Sequence, residues 1–157
     1  MPVETESKIS GPEAIKKKTT TVALDYGRIR VSKDLTVHLF GTPGQKRFSF
    51  MWKVIAKGMH GYIFLVDSGD PASIDDARYI YKFFNNNWKV PHIVAANKQD
   101  VPYALNTHQV RKLLNIPQHV PIVPLISTDK ESVKNALLVL IDHMIKWYLA
   151  KVQQQRT

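Results

Sequence analysis

The hydrophobic and polar positions along the chain alternate first with the period of strands. Residues 19–31 and 35–40 are rich in Val, Thr, Leu and Phe and are joined by a polar Ser-Lys-Asp turn, which predicts a β-hairpin. Three later runs are largely apolar, as in strands that are buried on both faces: residues 62–67, 92–97 and 121–127. Because Pro124 cannot donate a hydrogen bond to a neighbouring strand, we expect the last run at a sheet edge or a bulge.

Segments with helical spacing of apolar residues separate these strands. One helix is expected over residues 46–57, and the next begins at Asp70, where an N-cap oxygen precedes Pro at the first helical position. Asn106 is placed to cap a short third helix, and residues 132–152 predict a long amphipathic helix. Strands that alternate with helices after a hairpin predict an α/β fold with helices on both faces of the sheet.

Length and composition place the chain among globular proteins. Its 157 residues are typical of one domain, and residues 1–18 are polar, so we expect a flexible lead-in followed by one domain over residues 19–152. No apolar run is long enough for a transmembrane helix, and residues 1–18 lack the apolar core of a signal peptide. The chain has no cysteine, which excludes disulfides, thiolate metal sites and cysteine nucleophiles and favours a cytoplasmic location.

The formal net charge of +9 permits binding to nucleic acid, anionic lipid, acidic proteins or phosphorylated ligands. No acidic residue lies between Asp34 and Asp67, and this segment carries four cations: Lys46, Arg47, Lys53 and Lys57. A solvated helix face is the simpler explanation of this cluster. Because no paired Cys/His motif and no aromatic RNA-binding signature accompanies the charge, we expect no specific nucleic-acid partner. The six histidines show no metal-ligand spacing.

Polar motifs follow three of the predicted strands, at the positions where ligands bind in sheets of this type. They are Gly41-Thr42-Pro43-Gly44-Gln45, Asn97-Lys98-Gln99-Asp100 and Ser127-Thr128-Asp129-Lys130. Each alone is also compatible with a polar turn. In this order, at these strand ends and with the helices between them, they resemble the nucleotide site of a Ras-like small GTPase over about residues 19–150. Residues 20–27 and 40–45 resemble more narrowly the prokaryotic branch that includes gliding-motility and conservon-type proteins.

The resemblance implies an α/β three-layer sandwich of the P-loop NTPase type that binds GTP or GDP with magnesium. In such a site Asp100 accepts paired hydrogen bonds from guanine, and adenine is rejected because it leaves buried polar groups unpaired. Asn97 ties the base-binding loop to its neighbours, and the stem of Lys98 covers one face of the ring. Ser127 and Thr128 brace this loop and offer a backbone N–H to the guanine carbonyl.

The resemblance assigns the phosphate end of the site to three further residues. Gly44 offers a backbone N–H to the terminal phosphate, Gln45 orients the attacking water, and Thr21 reaches the magnesium ion. Thr20 is the competing register for the metal contact, and Thr21 is otherwise an ordinary β-branched strand residue. Gln45 is otherwise a polar residue at the start of a helix.

Two departures from the family concern phosphate and metal binding. Gly41 stands where the family carries a carboxylate that orients magnesium, although Gly is frequent there in the prokaryotic branch. The 157 residues contain no Gly-x-x-x-x-Gly-Lys-Ser/Thr motif, whose N–H groups and lysine hold the phosphates. In the family that motif, a strand and a helix precede the first switch, a segment that residues 21–26 resemble here. Only 18 residues, most of them polar, precede Thr19. We therefore expect no measurable GTP hydrolysis by the chain as it stands.

Two functions follow from this sequence. The first is a GTP-binding, small-GTPase-like switch protein, represented by a chain without its phosphate loop through truncation or a misassigned start and therefore inactive alone. The alternative is a degenerate GTPase that acts as a protein-interaction module without hydrolysis. The cationic segment predicts a regulatory partner with an acidic surface, with a roadblock-fold protein as the leading candidate from the resemblance. Without a central first strand, we expect residues 35–40 to pair directly with residues 62–67, with strand exchange between chains as the second choice.

Overall fold

The computed structural model describes residues 5–10, 24–42 and 44–156, with side chains described from Asp25 onward. It divides into two compact units, Met1–Gly58 (the N-terminal unit) and Met59–Thr157 (the C-terminal unit). The strands are β1 Thr5–Ser10, β2 Leu24–Ser32, β3 Leu35–Gly41, β4 Tyr62–Asp67, β5 His92–Asn97 and β6 Ile122–Pro124. The α-helices are α1 Ser49–Ala56, α2 Ile74–Asn87, α3 Thr107–Leu114 and α4 Lys130–Gln155. Within the described ranges no helix is both long and apolar enough to cross a membrane.

The N-terminal unit contains an antiparallel sheet in the order β1-β2-β3. The predicted hairpin is confirmed: β2 and β3 pair on either side of a turn at Lys33 and Asp34, with an irregularity between Arg30 and Ser32. The sequence pattern did not predict β1, which pairs with β2 inside the segment expected to be a flexible lead-in. A polar strand can lie there because it needs only backbone hydrogen bonds to β2. The boundary expected at residues 18 and 19 lies outside the described residues.

The chain leaves β3 through Thr42 and Gly44 and enters a short 3-10 turn, Lys46–Phe48, that leads into α1. This agrees with the helix expected over residues 46–57. Its apolar side is set by helical spacing, because Trp52 and Ala56 lie one turn apart and are both buried. The opposite side exposes Phe50 and Val54.

The C-terminal unit contains a parallel sheet in the order β4-β5-β6. The central strand β5 is buried on both faces, as its apolar run predicted, and Ile93 through Ala96 have no exposed surface. One face packs against α2 and α3 in a cluster that includes Val66, Val94 and Val110, whereas Ile93 on the other face packs with residues of α4. Helices therefore cover both faces of this sheet, and the predicted α/β fold class is confirmed.

Three local features of this unit follow signals in the sequence. Pro124 pairs with Ala96 in β6, which is the last strand in the order, so the expected edge position is confirmed. Asn106 caps α3 with a reciprocal pair of hydrogen bonds to Gln109, each 2.9 Å long. Asp70 caps the 3-10 turn before α2 by accepting a hydrogen bond from the backbone of Ala72.

The direct pairing expected between residues 35–40 and 62–67 is not formed in the described structure. Each of the two sheets contains only strands of its own unit, with β2 as the partner of β3 and β5 as the partner of β4. A hairpin turn joins β2 to β3, and crossover helices join the parallel strands β4, β5 and β6, so each of these strands has a partner that its own connection supplies.

Candidate functional site

Three loops meet at the carboxyl ends of β4, β5 and β6. The ladder places Asp67, the last residue of β4, beside Asn97, the last residue of β5. Backbone hydrogen bonds then continue past the strands, from Ser68 N to Asn97 O at 3.2 Å and from Gln99 N to Leu125 O at 3.2 Å. The Asn97–Asp100 motif is therefore tied by its main chain to the loops on both sides.

The side chain of Asn97 joins the β5 loop to the β6 loop. Its Nδ2 donates to Ser127 Oγ at 3.3 Å, and its Oδ1 accepts from Ser127 N at 3.1 Å. Ser127 and Thr128 form an exposed turn that is held from behind by Ser132, whose Oγ accepts a hydrogen bond from Ile126 N. The two hydrogen bonds between Asn97 and Ser127 bring two of the predicted site residues into direct contact.

Lys98 joins the β5 loop to the β4 loop. Its Nζ forms an ion pair with Asp67 Oδ2 at 2.8 Å, while Asp67 Oδ1 accepts a hydrogen bond from Gly69 N at 3.0 Å. The Asp67 hydrogen bond and negative charge raise the pKa of Lys98 above its ordinary value. The backbone of Lys98 has a φ of 64°, in the left-handed region that non-glycine residues rarely adopt. Strained backbone of this kind clusters at functional sites.

Asp100 lies in the turn that follows and its side chain is exposed. The turn is closed by a hydrogen bond from Val101 N to Lys98 O at 3.1 Å. Gln99 braces it from beneath, because its Nε2 donates to Leu105 O at 2.8 Å. Leu105 N in turn donates to Ser68 O at 2.9 Å. The carboxylate of Asp100 is thus carried on a fixed backbone and can accept hydrogen bonds from a ligand.

The residues expected at the phosphate end belong to the N-terminal unit. Gln45 precedes the 3-10 turn, its backbone oxygen accepts from Phe48 N at 3.0 Å, and its Oε1 accepts from Arg47 at 3.4 Å. A Cβ added to Gly44 would meet no protein atom within 4 Å, so a ligand has space to approach the backbone of Gly44 closely. Thr21 lies outside the described residues.

The structure adds two acidic residues that the sequence reasoning did not select. Asp67 follows the apolar run of β4, and the rule that selected Asn97 after β5 could have found it. Asp25 of β2 lies opposite Gly41 of β3, and a Cβ built on Gly41 would lie 3.8 Å from Asp25 Oδ2. A carboxylate therefore lies beside the position where the Ras-like resemblance expects one. Counting back from the hairpin turn would have placed Asp25 opposite Thr42, because the irregularity in β2 shifts the register by one residue.

The chain was compared with known protein families and proteins. The family model described as "Conserved hypothetical ATP binding protein" matches residues 3–147. The chain belongs to this family. It is 37% identical over 87 residues to the uncharacterized protein MJ1339 of Methanocaldococcus jannaschii, covering 55% of this chain and 54% of that protein.

Two further relatives agree with the Ras-like resemblance. ADP-ribosylation factor-like protein 4A of Homo sapiens is 30% identical over 125 residues, which cover 73% of this chain and 62% of that protein. The mutual gliding-motility protein MglA of Myxococcus xanthus is 31% identical over 112 residues, which cover 64% of this chain and 56% of that protein. The chain therefore spans between 54% and 62% of the length of these three relatives.

Proposed function

We propose that this protein binds a guanine nucleotide at the loops that follow β4, β5 and β6, as a small-GTPase-like nucleotide-binding protein. The observation that carries the proposal is the reciprocal pair of hydrogen bonds between Asn97 and Ser127, which fixes the motif that presents Asp100. Lys98 is held beside it by Asp67. In the proposed site the stem of Lys98 covers the base, and the turn at Ser127 and Thr128 offers a backbone N–H to the guanine carbonyl.

The choice of guanine follows from the chemistry of Asp100, although the description of the family names ATP. A carboxylate accepts two hydrogen bonds and donates none. Guanine presents a ring N–H beside an exocyclic amine, which supplies both donors. Adenine presents a ring nitrogen that is an acceptor at the equivalent edge, so its lone pair would face the carboxylate. Leaving polar groups unpaired in this way is a strong basis for rejection.

The experiment is a titration of the 157-residue chain with GDP and with ADP, followed by the amide NMR signals of residues 97–101 and 125–128. We expect GDP to shift these signals at lower concentration than ADP. Asp100→Ala should abolish the preference, whereas Lys98→Ala should only weaken binding. Asp142→Ala, which removes an exposed carboxylate from α4, is the matched control and should behave as the native chain. Equal shifts by ADP and GDP would contradict the proposed base site.

Phosphate and magnesium binding are proposed for the residues of the N-terminal unit. The hydroxyl of Thr21 and the carboxylate of Asp25 are hard oxygen donors of the kind that Mg²⁺ prefers, so the residues fit the ion. Magnesium would neutralise phosphate charge, Gly44 N–H would contact the terminal phosphate, and Gln45 would orient water. Because the 157 residues contain no phosphate-loop motif, we expect them to bind triphosphate weakly and to hydrolyse none measurably. Submicromolar affinity for a fluorescent GTP analogue in magnesium buffer would contradict this expectation.

We propose in addition that the exposed side of α1 contacts a regulatory protein with an acidic surface, with a roadblock-fold protein as the leading candidate from the Ras-like resemblance. The exposed fractions of Phe50 and Val54 on this side are 66% and 73%. The exposed Lys53 and Lys57 lie next to them in the sequence. Apolar anchors within a charged rim are typical of protein interfaces, and the charge predicts association that slows as salt is raised. This contact would be the whole function if the protein is an interaction module without hydrolysis. A cytoplasmic location stays a prediction from the absence of cysteine.

Capture of a purified roadblock-fold protein tests this surface. Lys53→Glu with Lys57→Glu should reduce capture, because both changes place negative charge opposite an acidic partner. The matched control is Lys82→Glu with Lys112→Glu, which makes the same charge change at exposed positions of α2 and α3. Equal capture by both double variants would contradict the proposed surface.

A further inference from the structure

We infer that Asp67 is a positioning residue, which holds Lys98 in the arrangement needed to bind the nucleotide base. This inference rests on the proposed guanine site and assigns a role to a residue outside its recognition motif. Asp67 touches Lys98 and not the recognition carboxylate, so its effect on the ligand has to pass through Lys98.

The two carboxylate oxygens of Asp67 have different partners. Oδ2 lies 2.8 Å from Lys98 Nζ, and Oδ1 accepts from Gly69 N at 3.0 Å. The second contact fixes the carboxylate on its own loop, and the ladder pairing with Asn97 fixes that loop against the next strand. The ammonium of Lys98 is therefore held relative to the Asn97–Ser127 pair through Asp67 and the paired ends of β4 and β5.

The ion pair matters because a lysine side chain has a flexible stem of four carbons and loses much conformational entropy when it is ordered. If the ion pair orders Lys98 before the ligand arrives, binding does not bear that cost, which is the general advantage of preorganisation. The left-handed backbone of Lys98, with a φ of 64°, starts the side chain in a direction that an ordinary turn would not give it. Asp67 then determines where the side chain ends.

The ion pair is poorly placed to act mainly as a stabiliser of the fold. The side chains of Lys98 and Asp67 are 54% and 34% exposed. Ion pairs open to solvent contribute little to the free energy of unfolding. A change in ligand affinity without a change in thermal stability is therefore the signature that separates a positioning role from a structural one.

The test is a double-mutant cycle on the full 157-residue chain, with GDP and ADP as probes and NMR titration as the measurement. Asp67→Asn removes the charge but keeps an oxygen that can accept from Gly69 N. We expect it to weaken GDP binding about 3- to 10-fold, within the range of coupling between contacting residues, with unchanged thermal stability. The GDP:ADP preference should be unchanged, because Asp100 sets it. In a Lys98→Gln background, Asp67→Asn should have no further effect. Asp75→Asn, which breaks an exposed ion pair with Arg78, is the matched control.

A second readout does not need a nucleotide. Lys98 should react more slowly with acetic anhydride than other exposed lysines, because Asp67 raises its pKa, and Asp67→Asn should abolish this protection. If GDP shifts no signals in the native chain, the proposed function is wrong and this inference with it. If GDP binds but Asp67→Asn weakens binding equally with and without Lys98, or leaves it unchanged, only the inference is wrong.

Discussion

Acidification should destabilise the C-terminal unit through His92, the first residue of β5. This imidazole is only 5% exposed. Its ring stacks on Tyr62 with centroids 4.6 Å apart, and its Nε2 lies 2.8 Å from the Tyr81 hydroxyl. Burial lowers the pKa of His92 from 6.5 to about 4, because the charged ring would lose its hydration among these side chains, and the nearby His143 and His119 act in the same direction.

The sign of the effect follows from which state binds the proton. Between about pH 6.5 and about pH 4 the unfolded chain protonates at His92 while the folded chain does not, so the free energy of unfolding falls with pH. The stability that depends on a neutral His92 is fully present above about pH 6.5 and is lost progressively as the pH falls to about 4. The difference in pKa corresponds to about 3 kcal/mol in full, and about 2 kcal/mol of it disappears between about pH 7 and about pH 5.

Urea unfolding at these two pH values, followed by the amide signals of β5, measures the loss. With a dependence on urea of about 2 kcal/mol per molar, the midpoint should fall by about 1 M. His92→Gln keeps an acceptor for the Tyr81 hydroxyl but cannot titrate. Its midpoint should therefore fall by about 1 M less than the midpoint of the native chain. His108→Gln, at an exposed position of α3, is the control and should retain the full decrease. If the native chain and His92→Gln lost the same stability over this range, the reasoning would be refuted.

Two further predictions concern backbone geometry in the same unit. Gly61→Ala should destabilise the protein by about 1–3 kcal/mol, because its Cβ would lie 2.9 Å from the backbone oxygen of Pro91. Gly44→Ala is the control and should change the melting temperature little, because its Cβ would meet nothing within 4 Å. Equal losses of stability in the two variants would contradict the steric explanation. Asn106→Ala should cost about 1 kcal/mol in urea unfolding, because α3 loses its reciprocal cap, and an unchanged midpoint would show that the cap contributes nothing.

The parts of the fold that the sequence predicted well are those set by neighbouring residues. The N-cap at Asn106 and the position of Pro124 at a sheet edge follow from what each side chain can donate or accept, and both are confirmed. The buried run of β5 is equally local, since apolar residues at every position require cover on both faces. The same kind of rule selected Asn97 and Ser127, which the structure places in contact.

The parts that were missed depend on pairing between distant segments. β1 carries no apolar alternation, so only its register with β2 identifies it as a strand. The expected pairing of β3 with β4 is not formed, because β3 finds its partner across a hairpin turn and β4 finds its partner through a crossover helix. The contact of Asp67 with Lys98 joins residues 31 positions apart, and no spacing in the sequence encodes it. The residues at strand ends could therefore be chosen from the sequence, but their partners could not.

The contacts that hold the candidate base site are all made within the C-terminal unit, whereas Gly44 and Gln45 belong to the N-terminal unit. This division implies that base preference and phosphate contact can be lost separately. Gln45→Ala should therefore leave the GDP:ADP preference of the 157-residue chain unchanged, while Asp100→Ala removes it. The same NMR titration measures both variants, and Gln153→Ala on α4 controls for loss of an exposed glutamine. A change in preference for Gln45→Ala alone would show that base recognition depends on both units.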